Sequence, residues 1–198
     1  MSGKNSTSRF SYPVFLDLDG VMVLVVGGGR IGARKAGGLA AAGARVRLVA
    51  SEVSAHVDRS TTNEVRERPF ESADLDDVRL VVTATGDHDI DQEISAAARS
   101  RGIWTNAADQ PVDCEFILPA ITRAGRVTGA ISTDGASPAL AGYLRDRLAE
   151  ILDDRVAEIA DTLAAERRAI QDAGGSTEDI DWQPRLRELF DAGGPAAE

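Results

Sequence analysis

Lysine is almost missing from this chain of 198 residues: Lys4 and Lys35 are the only two, leaving 20 of its 22 basic side chains as arginine. Cysteine is scarcer still. The single Cys114 excludes an internal disulfide and agrees with a reducing cytoplasm, where the protein is expected to reside. With one cysteine and two histidines, His56 and His88, a Cys/His zinc site has too few ligands, and no metal ligands are assigned. No apolar run approaches the roughly 20 residues of a membrane span, so no membrane partner is expected. The polar start, Met1–Ser11, has no apolar core and is read as a mobile tail, not a secretory signal. Net positive charge is absent too. The formal charge of −10 argues against a nucleic-acid partner, because affinity for the phosphate backbone rests on basic surface. An acidic, lysine-poor surface suits a high-salt cytoplasm, where screening shortens self-repulsion; a GC-rich genome, which favours arginine codons, gives the same composition.

What is present is a globular composition, with 43% hydrophobic and 27% charged residues, and one organising stretch. Val21–Val26 is an unbroken apolar run rich in valine, as in a parallel strand buried on both faces. Gly27, Gly29 and Gly32 follow at G-x-G-x-x-G spacing. The first allows a tight turn, the second lets backbone approach a pyrophosphate, and the third lets the next helix pack close to the strand. That helix carries Ile31, Ala36, Leu39 and Ala40 on one face and ends at Gly43. Its N-terminus offers free N–H groups to phosphates.

Strands are predicted at Arg45–Ala50, Asn63–Arg68, Leu80–Ala84 and Ile103–Asn106, with a helix over His88–Arg99. This alternation predicts an α/β fold, a Rossmann-like doubly wound parallel sheet. Pro13–Gly20 alternates around Val14, Leu16 and Leu18 and predicts a further strand that turns back at Asp19-Gly20. Beyond residue 113 the pattern changes. Phe116–Leu118 and Arg126–Ser132 read as strands. Ser137 is an N-cap with Pro138 at the first helical position, and Leu140, Leu144, Leu148, Ile151 and Leu152 form an apolar stripe that Val156, Ile159 and Leu163 continue. Gly174-Gly175 interrupts, and Asp181–Phe190 is a last short helix. The expected division is a nucleotide-binding domain over 1–113, a dimerisation segment over 114–153 and a helical region over 154–198.

In an open parallel sheet, ligands bind at the carboxyl ends of the strands. Here these are Gly27 to Gly32 (with Gly28, Arg30 and Ile31), Ser51, Thr83 to Asp87 (with Thr85), and Asn106 to Asp109. Ser51 stands in the slot that often holds the adenosine ribose, with Glu52 one residue late. No arginine adjoins Ser51 to grip a 2′-phosphate, which favours NAD. Asp109 is the best-placed general base; as a residue type it could equally be a turn aspartate. Ser132–Pro138 is a hydroxyl-rich loop before a helix, read either as plain capping by Ser137 or as an anion contact.

Taken together, these residues resemble a known family. Tyr12-Pro13-Val14-Phe15-Leu16, Gly27-Gly28-Gly29-Arg30-Ile31-Gly32-Ala33-Arg34-Lys35, Asn106-Ala107-Ala108-Asp109, Phe116-Ile117-Leu118-Pro119 and Gly135-Ala136-Ser137-Pro138 keep the order of the precorrin-2 dehydrogenase/sirohydrochlorin ferrochelatase family, the N-terminal module of siroheme synthases. The resemblance implies NAD-dependent oxidation of precorrin-2 to sirohydrochlorin, with Fe²⁺ as a further substrate in bifunctional members, and a homodimer. It places the family's essential aspartate on Asp109 and a substrate-side serine on Thr133. The implied substrate is a polycarboxylate. A local arginine cluster is therefore expected to offset the acidic surface, with Arg123, Arg126, Arg145 and Arg147 as candidates and Thr133 and Ser137 beside the substrate. A regulatory NAD-binding module without catalysis is the alternative; it needs the glycine loop but not Asp109.

Overall fold

The computed structural model describes residues 9–192, so Lys4 and most of the stretch read as a tail lie outside the described residues. The chain forms two compact units that divide between Leu118 and Pro119. No described helix is long and apolar enough to cross a membrane.

In the first unit, β1 (Met22–Val26), β2 (Arg45–Ala50), β3 (Glu64–Glu67), β4 (Leu80–Thr83) and β5 (Trp104–Ala107) pair in parallel in the order β3-β2-β1-β4-β5. The first helix, α1 (Arg30–Ala40), follows β1, and α2 (His88–Ser100) links β4 to β5. The fully buried run in β1 has a direct cause: β1 lies at the centre of the sheet and α1 and α2 pack over it. Val23 and Val25 join Ala36 and Leu39 of α1 in one core, and Leu24 and Val26 join Ile94 and Ala98 of α2 in the other. Alternate residues of one strand thus feed opposite cores, as a pleated sheet covered on both faces requires. Gly43, in the left-handed region at φ +85°, ends the first helical segment.

The edge of the sheet is held by charge. The Asp74 side chain is fully buried and accepts from Arg66 Nη1 at 2.5 Å, Arg68 Nη2 at 2.8 Å and the Glu71 backbone N–H at 2.8 Å. Arg47 on β2 bonds Glu64 on β3 at 2.7 Å and the Asp74 carbonyl at 2.9 Å.

Two expected strands are missing. Pro13–Leu18 has no regular structure and is not a paired strand; the turn at Asp19-Gly20 forms, yet it joins the Gly43 carbonyl through the Gly20 N–H at 3.0 Å and leads directly into β1. Alternation alone cannot supply a strand partner. Phe116–Leu118 is also not a strand: Phe116 packs against the first core, and its carbonyl accepts from Asn106 Nδ2 at 2.9 Å. Arg9, within the predicted tail, is tied down by the carbonyls of Pro111 at 2.6 Å and Cys114 at 2.8 Å.

The second unit contains an antiparallel hairpin, β6 (Ala120–Ala124) and β7 (Val127–Ile131), and three helices, α3 (Pro138–Ala149), α4 (Asp154–Asp172) and α5 (Gln183–Asp191). The Ser137 hydroxyl caps α3 by accepting from the Leu140 N–H at 3.1 Å, and Asp153 caps α4 through Val156 N–H at 3.0 Å.

Candidate functional site

The order of the five parallel strands changes direction between β1 and β4, and a crevice opens there beyond their carboxyl ends, the place where such sheets bind ligands. Gly27, Gly28 and Gly29 line it, and three of the four β1–α1 glycines are there because nothing larger fits. A Cβ on Gly27 would lie 2.2 Å from the Ala84 carbonyl oxygen, on Gly28 2.1 Å from that of Glu52, and on Gly32 2.0 Å from that of Gly27. A Cβ on Gly29 would meet no atom within 4 Å. The chain therefore closes tightly around three glycines and leaves open space at the fourth. Gly29 is also the N-cap of α1 and makes no side-chain cap, so the first-turn N–H groups face that space without intrahelical partners. This open, uncapped end fits a pyrophosphate.

Two cavities flank the loop. One is bounded by Ala50, Ser51, Glu52, Phe70 and Ile90, with Gly27–Gly29 as its wall; it suits the adenosine end of a dinucleotide. The other is bounded by Arg30, Ile31, Thr85, Asp91, Asp109 and Gln110. Thr85 lines both. Of the residues singled out in the sequence, Gly27 to Ile31, Ser51, Thr85 and Asp109 are gathered here. Gly32 lies behind the wall. Thr83 is fully buried, and its backbone carbonyl accepts from Ala108 N–H at 2.9 Å. Asn106 is 6% exposed. Its amide turns inward to Phe116 O at 2.9 Å and Cys114 Sγ at 3.7 Å. Neither Thr83 nor Asn106 lines a cavity; they hold the strand ends in place.

Asp109 is exposed at φ +61°, a left-handed conformation that aspartate tolerates better than most residues. The turn around it is fixed from behind. Gln110 N–H bonds Ala107 O at 3.3 Å and Glu115 N–H bonds Thr105 O at 2.9 Å, while Thr105 Oγ1 donates to Glu115 Oε2 at 2.5 Å. Cys114 Sγ donates to the Ala107 carbonyl at 3.3 Å and accepts the N–H of the same residue at 3.2 Å. Burial pushes the thiol pKa up, so it acts as a packing group and not as a nucleophile.

The cationic side chains at this site come from α1. Arg30, Arg34 and Lys35 stand on it without an acidic residue between its ends. Burial lowers the Lys35 pKa, and Arg34 lowers it further; Asp109 and Cys114 oppose that shift through their charge. Sequence reading gave Lys35 no role beyond the family motif; its charge interaction with Asp109 is what marks it. The arginines selected in the sequence belong instead to the second unit. There Arg126 pairs with Asp161 at 2.7 Å, Arg145 with Asp146 at 2.6 Å and Arg147 with Glu150 at 2.8 Å; Arg123 lies on β6. Those ion pairs neutralise three of the four candidates locally. Thr133 Oγ1 donates to Ser137 O and accepts from Ser137 N–H, both at 3.1 Å, and Ser132 Oγ accepts from Asp134 N–H at 3.1 Å, so all three hydroxyls of this loop serve its own turns and cap.

A family model described as "Putative NAD(P)-binding" matches residues 14–120. Over 193 residues the chain is 37% identical to a siroheme synthase of Methylococcus capsulatus, covering 94% of this chain and 39% of that protein. A siroheme synthase of Pseudomonas entomophila is 42% identical over 139 residues, 69% of this chain and 30% of its own length. The chain thus spans well under half of these relatives. Among solved structures, "SirC, precorrin-2 dehydrogenase" matches with a TM-score of 0.63 at 30% identity, covering 91% of this chain and 88% of that one.

Proposed function

The chain belongs to the NAD(P)-binding family of the siroheme synthases and precorrin-2 dehydrogenases, and we propose from this premise that it oxidises precorrin-2 to sirohydrochlorin with NAD. The observation that carries the proposal is the exposed Asp109 carboxylate, held in a left-handed turn and lining one cavity with Arg30 and Ile31 of the phosphate-binding loop.

Bound NAD would supply the two-electron acceptor. The loop from Gly27 to Gly32 would hold its pyrophosphate against the α1 N-terminus, Ser51 would face its adenosine ribose, and Thr85 would line the passage between the two cavities. Thr83 and Asn106 support that surface from within. Asp109 is the base: as the macrocycle loses a hydride, this carboxylate takes the accompanying proton. An exposed carboxylate can pass that proton on to water, so the group is ready for the next turnover. Thr133, Ser137, Arg123 and Arg126 are substrate contacts on the family resemblance alone.

Insertion of Fe²⁺ into sirohydrochlorin is the finer proposal. The same Asp109 would then accept pyrrole N–H protons, with the metal arriving as a substrate. A homodimer is proposed on the exposed apolar side chains of the second unit, with Tyr143 61% and Ile151 67% exposed. The single reduced cysteine supports placement in the cytoplasm.

The deciding experiment is anaerobic incubation with precorrin-2 and NAD, followed by NADH absorbance, with Fe²⁺ then added. NADH formation with a sirohydrochlorin spectrum is expected, and Asp109→Ala should abolish it while still binding NAD. NAD binding without NADH from the wild-type protein would transfer the case to a regulatory module. Iron insertion no faster than without protein would restrict the enzyme to dehydrogenation.

A further inference from the structure

The cavity that presents Asp109 has a second carboxylate at its floor, in quite different surroundings. Asp91, in the first turn of α2, is 2% exposed. Its Oδ1 accepts the Thr85 backbone N–H at 3.2 Å and the Thr85 hydroxyl at 2.8 Å. Its Oδ2 faces the Gln110 amide nitrogen at 3.5 Å, the outer limit of a hydrogen bond. The other end of that amide, Gln110 Oε1, is buried with no partner. The groups that bond Asp91 are thus neutral. A buried carboxylate without a cation is costly: burial pushes its pKa up, and the bonds from Thr85 pull it partly back.

The α2 N-terminus and the Thr85 turn account for one of its oxygens. They do not account for the other, which is turned toward Gln110. Gln110 directly follows Asp109, and its N–H closes the turn that sets the left-handed backbone there.

We propose that Asp91 is a positioning residue for the reaction, tying Thr85 on the cofactor side to Gln110 and, through Gln110, holding the turn that presents Asp109. The proposal deepens the reading as a precorrin-2 dehydrogenase and rests on it. Asp91 exchanges no proton with the substrate in this scheme. It fixes the distance between the two walls of the cavity.

The test compares Asp91→Ala, Asp91→Asn, Gln110→Ala and the Asp91→Ala/Gln110→Ala double variant, each assayed for precorrin-2 turnover and for NAD affinity. Misplacing a base by about 1 Å lowers turnover by about 100-fold, so Asp91→Ala and Gln110→Ala should each lower kcat by about 10- to 100-fold. Gln110→Ala should leave the NAD dissociation constant within about threefold, and the double variant should be no slower than Asp91→Ala alone, because both break one link. Asp91→Asn should keep kcat within about threefold: its oxygen can accept from Thr85, and its NH2 can donate to the orphaned Gln110 Oε1 once that amide turns over.

Losses that multiply in the double variant, an Asp91→Asn protein as slow as Asp91→Ala, or a Gln110→Ala protein at the wild-type rate would each overturn the role. Amide exchange at Thr85, read with no substrate present, should accelerate in Asp91→Ala and stay slow in Asp91→Asn; equal exchange in Asp91→Ala and wild type would break the link itself. A wild-type protein that never forms NADH would instead bring down the functional reading on which the role depends.

Discussion

Gly32→Ala and Gly29→Ala add the same methyl group three residues apart, and the structure assigns them opposite consequences. At Gly32 the new Cβ would lie 2.0 Å from the Gly27 carbonyl oxygen. Ordinary non-bonded contact needs about 3.5 Å, so α1 and the β1 turn would have to separate by more than 1 Å. The obstructing atom is backbone and cannot rotate aside. Overpacking of this kind costs about 3 kcal/mol, the upper part of the usual range, which corresponds to a fall of about 10 °C in melting temperature for a chain of this length. At Gly29 the same methyl meets nothing within 4 Å. The free protein should melt within about 2 °C of wild type. The methyl would instead occupy the space into which the α1 N-terminus directs its N–H groups, and NAD affinity should fall about 10- to 100-fold, or roughly 1.4 to 2.8 kcal/mol. Thermal denaturation of both variants, paired with NAD titration by calorimetry, provides the readout. A Gly29→Ala protein as unstable as Gly32→Ala, or one with wild-type NAD affinity, would refute this assignment of the open space.

Other expectations follow from individual contacts. Asp74 is buried, and burial alone would raise its pKa; bonds from Arg68, the Glu71 N–H and Arg66 reverse that and hold it at about 2. Because the folded pKa lies below the unfolded value of about 3.9, this group should stabilise the fold by about 2 kcal/mol above pH 4 and lose that contribution as the pH falls toward 2; urea unfolding from pH 5 to pH 2 should show the loss in wild type and a smaller slope in Asp74→Asn. Asp74→Asn itself should cost about 3 kcal/mol at neutral pH, as it removes the negative charge that Arg66 and Arg68 share and puts a donor NH2 where an oxygen accepted from Arg68 and the Glu71 N–H; a loss under 1 kcal/mol would count against the network. Ser137→Ala should cost about 1 kcal/mol by uncapping α3, measured by denaturant unfolding, with no change in NAD affinity. Turnover should rise as salt is added to a dilute buffer, since substrate and protein are both acidic; a steady fall would mean that local cations dominate the encounter.

The parallel sheet was legible because its central strands, β1 and β4, are apolar runs with nothing to hide. Met22–Val26 is buried on both faces and reads that way, and Ser137 and Gly43 mark helix ends by chemistry that depends on near neighbours only, whereas the continuous apolar stripe hid the break between α3 and α4 that Asp153 caps. Strand pairing is not local. The alternation in Pro13–Leu18 has no strand partner in the described chain, so the segment forms no strand and leaves Tyr12 and Phe15 exposed. At the site, the glycine spacing located the loop, whereas the direction of individual side chains at the strand ends could not be read. In a sheet covered on both sides, Thr83 and Asn106 can turn into the core as readily as into a ligand cavity. Asp91 went unnoticed for a related reason: an aspartate in the first turn of a helix is ordinarily a surface group near the dipole, and only the packing of α2 on β4 and β5 buries this one.

The charge distribution also resolves an apparent conflict between a chain of net charge −10 and a cofactor with a doubly anionic pyrophosphate. Net charge governs the approach over distances that physiological salt screens within about 8 Å. Contact is governed by what lies inside that distance. In α1, Arg30, Arg34 and Lys35 occur with no acidic residue in the helix, and the helix points its positive end at the open side of Gly29. Three of the second-unit arginines selected in the sequence for a polycarboxylate substrate have acidic partners beside them at Asp161, Asp146 and Glu150, and exposed pairs of that kind leave little field to attract an anion. A single helix without acidic residues therefore does what a globally basic surface would do elsewhere. It leaves the rest of the chain free to be acidic, and it puts positive charge near Asp109, whose carboxylate acts on Lys35 through its charge.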